Sequence, residues 1–225
     1  MIIMLSGPDK RIGFSKDVKK FLNKELKNCN SLVAIAASDC AKKNDDYFNG
    51  TDMALGVKGM FNQLDVNIKD YYLLDYRNSL NEMIDIINKS DIIHLMGGDP
   101  FKQLEVLRKI DCKKLFKNKI LIGVSAGSMN MAIKGYYSSD EDYPKTWFYN
   151  GIGLVDITID PHFDINNLEW VNENKKYSYI HEIVGLPNES AIIIDNNDSI
   201  NYIGDTMYFM MVKLSKFKYV VTKKC

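Results

Sequence analysis

The feature that most constrains this 225-residue chain is a repeated alternation in its first half. Short apolar runs, 4 to 6 residues long, are separated by longer stretches with a 3.6-residue apolar period. Ile2–Leu5, Leu32–Ala37, Tyr71–Leu74, Ile92–Met96 and Ile120–Val124 read as strands. Phe14–Leu26, Met53–Leu64, Leu80–Ile87 and Phe101–Ile110 read as helices, the first carrying Phe14, Val18, Phe21, Leu22 and Leu26 on one face. Strand and helix in strict alternation predict an α/β fold, a mainly parallel sheet covered by helices on both faces. Ligands of such sheets bind outside the carboxyl ends of the strands.

The second half changes character. Lys134–Gly151 is polar and aromatic without a clear period, which predicts a long functional loop or a hairpin. After Ile157–Ile159 and a helical stretch at Asn167–Ile180, four β segments follow: Ala191–Ile194, Ser199–Ile203, Met207–Val212 and Tyr219–Thr222. Their close spacing predicts antiparallel additions at the sheet edge. No linker, repeat or low-complexity segment divides the chain, so residues 1–225 are expected to form a single domain. That size is within the range of about 200–250 residues that α/β proteins reach as one unit.

Composition narrows the function. Lys+Arg and Asp+Glu both number 29, which leaves no net charge to attract nucleic acid or an anionic membrane. No apolar run approaches the roughly 18 residues of a membrane span, and the start MIIMLSGPDKR lacks the basic region of a signal peptide. Cys29, Cys40, Cys112 and Cys225 form no C-x-x-C pair and have no histidine at zinc-ligand spacing. The expectation is a soluble cytoplasmic protein with free thiols and no metal or organic cofactor.

Gly123-Val124-Ser125-Ala126-Gly127 matches G-x-S-x-G at the end of a predicted strand. In a nucleophile elbow both glycines are needed because the turn is tight and the following helix passes close by. The competing explanation is a βα turn whose serine caps the helix. Met96-Gly97-Gly98-Asp99 ends the preceding strand, and consecutive strands of this topology often lie side by side. A backbone N–H of that glycine pair, together with the amide of Ala126, could then form an oxyanion hole. Taken alone, Gly98-Asp99-Pro100 also reads as an ordinary turn into a helix with proline in its first turn.

A serine nucleophile wants a histidine base, and the chain has three. His94 falls inside an apolar strand and His181 near the end of a helical stretch. His162 follows a strand in Asp160-Pro161-His162-Phe163-Asp164, on a loop whose approach is fixed by proline. That placement suits a base.

The segments HLMGGDP, GVSAGSMN and DPHFD, with LPNESAIIIDN (Leu186–Asn196) and Tyr202-Ile203-Gly204, resemble the serine peptidase family that contains dipeptidase E and the cyanophycinases. The resemblance spans most of the chain after residue 90. It implies a flavodoxin-like fold related to class I glutamine amidotransferases, with Ser125 as nucleophile, His162 as general base, and Gly98 and Ala126 as oxyanion hole. It also implies an acid between serine and histidine. Ser139-Asp140-Glu141-Asp142 offers three candidates, of which Asp140, 15 residues after Ser125, aligns best. The implied activity is hydrolysis of amide bonds in small peptides by a Ser125–His162–Asp140 triad.

Two departures from the family pattern bear on the substrate. Arginine occurs only as Arg11, Arg77 and Arg108, so none follows His162 to receive an acidic side chain; Lys175 or Lys176 would be a point charge without the bidentate fork. Asp99-Pro100 stands where many relatives carry Asn-Thr, which makes Asp99 a candidate substrate-binding residue. The alternatives are an α/β-hydrolase esterase, which shares the order serine, acid, histidine, and an amidotransferase-like module that binds a ligand or partner without catalysis.

Overall fold

A computed structural model describes residues 1–141, 143–214 and 217–224. Its centre is a seven-stranded sheet. Five strands are parallel: β1 (Ile2–Leu5), β2 (Ser31–Ile35), β3 (Asp70–Leu74), β4 (Ile92–Leu95) and β5 (Ile120–Val124). Two more, β10 (Ala191–Ile194) and β11 (Ile200–Ile203), add antiparallel next to β1, giving the order β11-β10-β1-β5-β4-β2-β3.

Successive residues of a strand point to opposite faces, and here both faces are covered. On one side Met4, Val33, Ile93 and Leu95 pack with Met83 and Ile87 of α4 (Leu80–Lys89) and Leu104 and Leu107 of α5 (Pro100–Leu107). On the other, Ile3, Leu5, Leu32 and Ala34 pack with Val18 and Leu22 of α1 (Lys16–Glu25) and Val57 and Phe61 of α3 (Gly56–Asn62). Every residue of β2 is buried, as expected for a strand in the middle of a parallel sheet. Two helices escape the sequence pattern: α2 (Ala41–Asn49) buries only Asn44 and Phe48, and α6 (Cys112–Leu115) is a single turn that buries only Cys112.

The polar segment after residue 133 is a hairpin, β6 (Lys134–Tyr137) with β7 (Trp147–Asn150). Beyond it, β8 (Ile159–Pro161) and β9 (Ile183–Leu186) pair in parallel, and β12 (Met207–Leu214) with β13 (Phe217–Lys224) extends β9 antiparallel. The expected edge additions therefore divide: β10 and β11 join the main sheet, while β12 and β13 belong to a separate four-stranded sheet. A small core of Tyr136, Phe163, Val171, Ile183 and Phe209 fixes this second sheet and α8 (Leu168–Tyr177). Among the described residues no helix is long and apolar enough to cross a membrane.

Candidate active site

Ser125 sits between β5 and α7 (Ala126–Met131) with φ 48° and ψ −112°, a backbone conformation that is costly for any side chain. Both motif glycines have a steric reason. A Cβ on Gly123 would lie 2.7 Å from the Ser128 nitrogen, and one on Gly127 would lie 2.1 Å from the Leu95 carbonyl oxygen. The helix start is thus pressed against β5 and its neighbour β4, and the Ser125 amide is tied to the Leu5 carbonyl at 2.9 Å.

His162 follows β8 and approaches from the second sheet. Its backbone amide donates to Ser6 Oγ at 2.7 Å, and its φ of 61° is again left-handed. The imidazole Nε2 lies 2.9 Å from Ser125 Oγ. The opposite nitrogen, Nδ1, lies 2.7 Å from Asn188 Oδ1. An Nδ1–H donated to that amide oxygen leaves Nε2 as the acceptor for the serine hydroxyl.

Asn188 is in the tight turn between β9 and β10. Glu189 beside it has φ 64°, and its amide donates to the Gly7 carbonyl at 3.1 Å. Gly7 closes the arrangement: a Cβ there would stand 2.7 Å from His162 Cε1 and 3.0 Å from Asn188 Oδ1. Three of the chain's left-handed non-glycine residues, Ser125, His162 and Glu189, converge here. Such clustering is characteristic of sites where the surrounding structure holds strain in place.

Of the residues expected from sequence, Ser125 and His162 are brought together, with Gly98 alongside. A Cβ on Gly97 would be 3.6 Å from Ser125 Cβ, and Gly98 has φ 141° with its amide outside the backbone hydrogen bonds of the described residues. Ala126 opens α7, so its N–H has no intrahelical acceptor.

Asp140 is not brought to His162. Its carboxylate accepts from the Tyr137 hydroxyl and from the Tyr143 amide, bracing the β6–β7 hairpin, and the place expected for it is held by Asn188. Asp142 lies outside the described residues. Asp99 caps α5 by accepting from the amides of Phe101 and Lys102, and its second oxygen accepts from the Tyr143 hydroxyl. Neither of the other histidines is hydrogen-bonded to Ser125: His181 packs on Phe148, and His94 is buried against Phe61.

Asn188 and Ser6 were missed by sequence reasoning. Asn188 lies inside the LPNESAIIIDN segment, so a residue in that segment was available, but nothing in its type marks a histidine partner.

Asp160, two residues before His162, is buried and accepts from Ser138 Oγ, Trp170 Nε1 and Asn174 Nδ2. Burial pushes its carboxyl up to about 7, against those three hydrogen bonds, with Glu173 adding to the rise. Among the described residues no three His, Cys, Asp or Glu side chains group as a metal site.

Two cavities meet at the serine–histidine pair. Gly98, Ser125 and His162 border both. The first, about 480 Å³, is walled largely by Val57, Met60, Met96 and Val124. The second, about 770 Å³, is bordered by polar side chains of the β6–β7 hairpin and α8.

Taken together, the parallel sheet, the strained serine at a strand-to-helix turn and the facing histidine place the chain among α/β proteins with a serine elbow. Within that class the family is defined: the chain belongs to peptidase family S51, whose model matches residues 10–207. An uncharacterized peptidase of Pasteurella multocida (strain Pm70) is 28% identical over 135 residues, covering 54% of this chain and 64% of that protein. One of Listeria monocytogenes serovar 1/2a is 26% identical over 133 residues, covering 54% and 65%. Both matches thus span less than two thirds of the relative's length.

A crystal structure of a peptidase from an acI-B1 Actinobacterium superposes with a TM-score of 0.65 at 13% identity, covering 100% of this chain and 95% of that one. A putative peptidase E protein from Listeria monocytogenes EGD-e gives 0.62 at 20% identity, covering 90% and 96%. At these identities the superpositions speak for the fold.

Proposed function

We propose that the protein is a serine peptidase that hydrolyses amide bonds of small peptides through an acyl-enzyme. The observation that carries this reading is the 2.9 Å contact between His162 Nε2 and Ser125 Oγ, made at a serine held in a strained conformation. That distance is within the reach of a base and its nucleophile. Membership of a peptidase family supports the same class.

In this mechanism Ser125 Oγ attacks the substrate carbonyl carbon as His162 Nε2 removes its proton. The negative charge that develops on the carbonyl oxygen is met by the amides of Gly98 and Ala126, each such donor being worth about 10²–10³ in rate. Collapse of the tetrahedral intermediate breaks the C–N bond, and His162 passes its proton to the leaving amine. Water, deprotonated by the same histidine, then attacks the acyl-serine and restores Ser125. Asn188 holds the imidazole in the tautomer that this cycle requires.

Free Cys29, Cys40 and Cys112 support placing this activity in a reducing cytosol. A fluorophosphonate probe tests the reading. Stoichiometric labelling of Ser125, blocked in Ser125→Ala, together with turnover of short peptides in preference to esters, is the expected outcome. A protein that leaves the probe unreacted is instead a non-catalytic binding module.

A further inference from the structure

The two cavities that meet at Ser125 and His162 differ in chemistry, and the difference gives the cleft an electrical direction. The first is apolar. Val57 and Met60 of α3, Met96 just after β4 and Val124 of β5 form its body, and its volume of about 480 Å³ falls in the range of small-molecule sites.

His94 contributes to the same wall. It is 1% exposed and its Nδ1 has no hydrogen-bond partner. Burial lowers its pKa to about 4, partly opposed by the Ile122 carbonyl, so the ring brings no charge to the pocket at neutral pH.

Two charged side chains border this cavity, Lys10 and Asp46. Asp46 is already paired with Lys42. Lys10 is exposed and makes no ion pair among the described residues. The second cavity has the opposite character: Asp140, Asp160, Glu169 and Glu173 border it against one lysine, Lys176.

We propose that the cleft takes short peptides in one direction. An apolar C-terminal residue fills the first cavity with its carboxylate toward Lys10, and the amino end lies in the acid-bordered second cavity. This proposal rests on the serine-peptidase reading and adds its substrate class. An acidic side chain is disfavoured on both sides, because the first cavity buries it beside apolar groups and the second opposes it with like charge. In this direction the residue in the apolar cavity leaves as the amine product, and the acyl group on Ser125 is the amino-terminal part.

The test is a dipeptide panel with one N-terminal residue and C-terminal Leu, Met, Phe, Asp or Lys, each as free acid and as amide, on wild type and Lys10→Glu. Ser125 labelling by a fluorophosphonate is measured on the same preparations. The expected result is at least about tenfold higher kcat/KM for Leu, Met or Phe than for Asp, the factor that about 1.4 kcal/mol supplies. Amidation should cost about three- to fivefold, the scale of an exposed ion pair, and Lys10→Glu, which turns that attraction into repulsion, at least as much. Lys10→Glu should have no further effect on the amides.

The proposal is overturned if Asp is accepted as well as Leu, if acids and amides react equally, or if no dipeptide is cleaved by a protein whose Ser125 labels. In each of those cases the hydrolase reading survives on the label. If Ser125 does not label, that reading fails, and the substrate proposal falls with it.

Discussion

His162 Nδ1 faces the side-chain oxygen of Asn188 at 2.7 Å, where a serine-hydrolase triad would often place a carboxylate. The two partners differ in what they offer the imidazole. A carboxylate both orients the ring and stabilises its positive form, whereas an amide oxygen orients it and supplies only a dipole. The Ser125–His162–Asn188 arrangement therefore gives the right tautomer with weaker support for the imidazolium; an asparagine holds the same place in the Cys-His-Asn variant of the triad.

Replacing Asn188 separates the two effects. Asn188→Ala leaves the Nδ1–H without its acceptor and lets the ring turn or change tautomer. The expected loss in kcat lies between about tenfold, the rate equivalent of one hydrogen bond, and about 10⁴, the loss from a wrong tautomer in a protease triad. Asn188→Asp keeps an acceptor and adds charge beside the ring. Because an adjacent negative charge favours the protonated imidazole, the rising limb of kcat/KM should move to higher pH by about one unit or more. Unchanged pH profiles for both variants would remove Asn188 from the mechanism.

Ser125 predicts opposite effects on activity and stability. Ser125→Ala should lower turnover by about 10⁴-fold or more, since members of such a unit fail together. Ser125→Gly should be equally inactive yet melt higher than Ser125→Ala. The left-handed φ of 48° costs a side chain about 1–3 kcal/mol and costs glycine far less, and this outweighs glycine's extra entropy of about 0.5–1 kcal/mol. Differential scanning calorimetry on the two variants reads the difference, and a lower melting temperature for the glycine variant would contradict the strain.

Gly7 is predicted to be sensitive to substitution although it carries no chemistry. The added methyl of Gly7→Ala would start 2.7 Å from His162 Cε1 and 3.0 Å from Asn188 Oδ1, so the pair must shift by a few tenths of an ångström or more. Displacements approaching 1 Å cost about 10² in rate. Peptide turnover should fall toward that extent while the far-ultraviolet dichroism stays native. Full activity in Gly7→Ala would mean that the ring and the turn yield without consequence.

Much of this was legible in the chain. The alternation of apolar runs marks β1 to β5 because a parallel strand buried on both faces needs a continuous apolar stretch. Ser125 is legible for a second reason: the glycines on either side are demanded by the close passage of α7 over Leu95 and Ser128. α2 was not, because only Asn44 and Phe48 of its nine residues turn inward. Nor was β9, whose four residues follow a helix that was read as running on to Ile180.

The third member of the site was hidden more deeply. Asn188 reaches His162 through a left-handed turn at Glu189 and the gap left at Gly7, and that relation joins residues 181 positions apart. An acid close in sequence, Asp140, fitted the spacing, but the fold spends it on Tyr137 and Tyr143.

The last prediction concerns Asp160, whose buried carboxyl takes up its proton near pH 7 in the folded chain. In the unfolded chain an aspartic acid does so near 3.9. Between these values the folded state holds more protons than the unfolded one, so stability falls as pH rises through this window and levels off above it. One group changes stability by at most about 1.4 kcal/mol per pH unit.

Asp160→Asn removes this titration while keeping most of the hydrogen bonds. Its amide oxygen can accept from Trp170 and Asn174, as Oδ2 does now, and its NH₂ can donate to the Ser138 hydroxyl oxygen. The other titratable groups are common to both proteins, so the difference between them isolates Asp160. Urea unfolding at pH 5, 6, 7 and 8 should show the wild type losing stability relative to Asp160→Asn as pH rises, with the variant at least as stable at pH 8. Parallel curves for the two proteins would show that Asp160 is ionised throughout. Its three donors would then be compensating a buried charge.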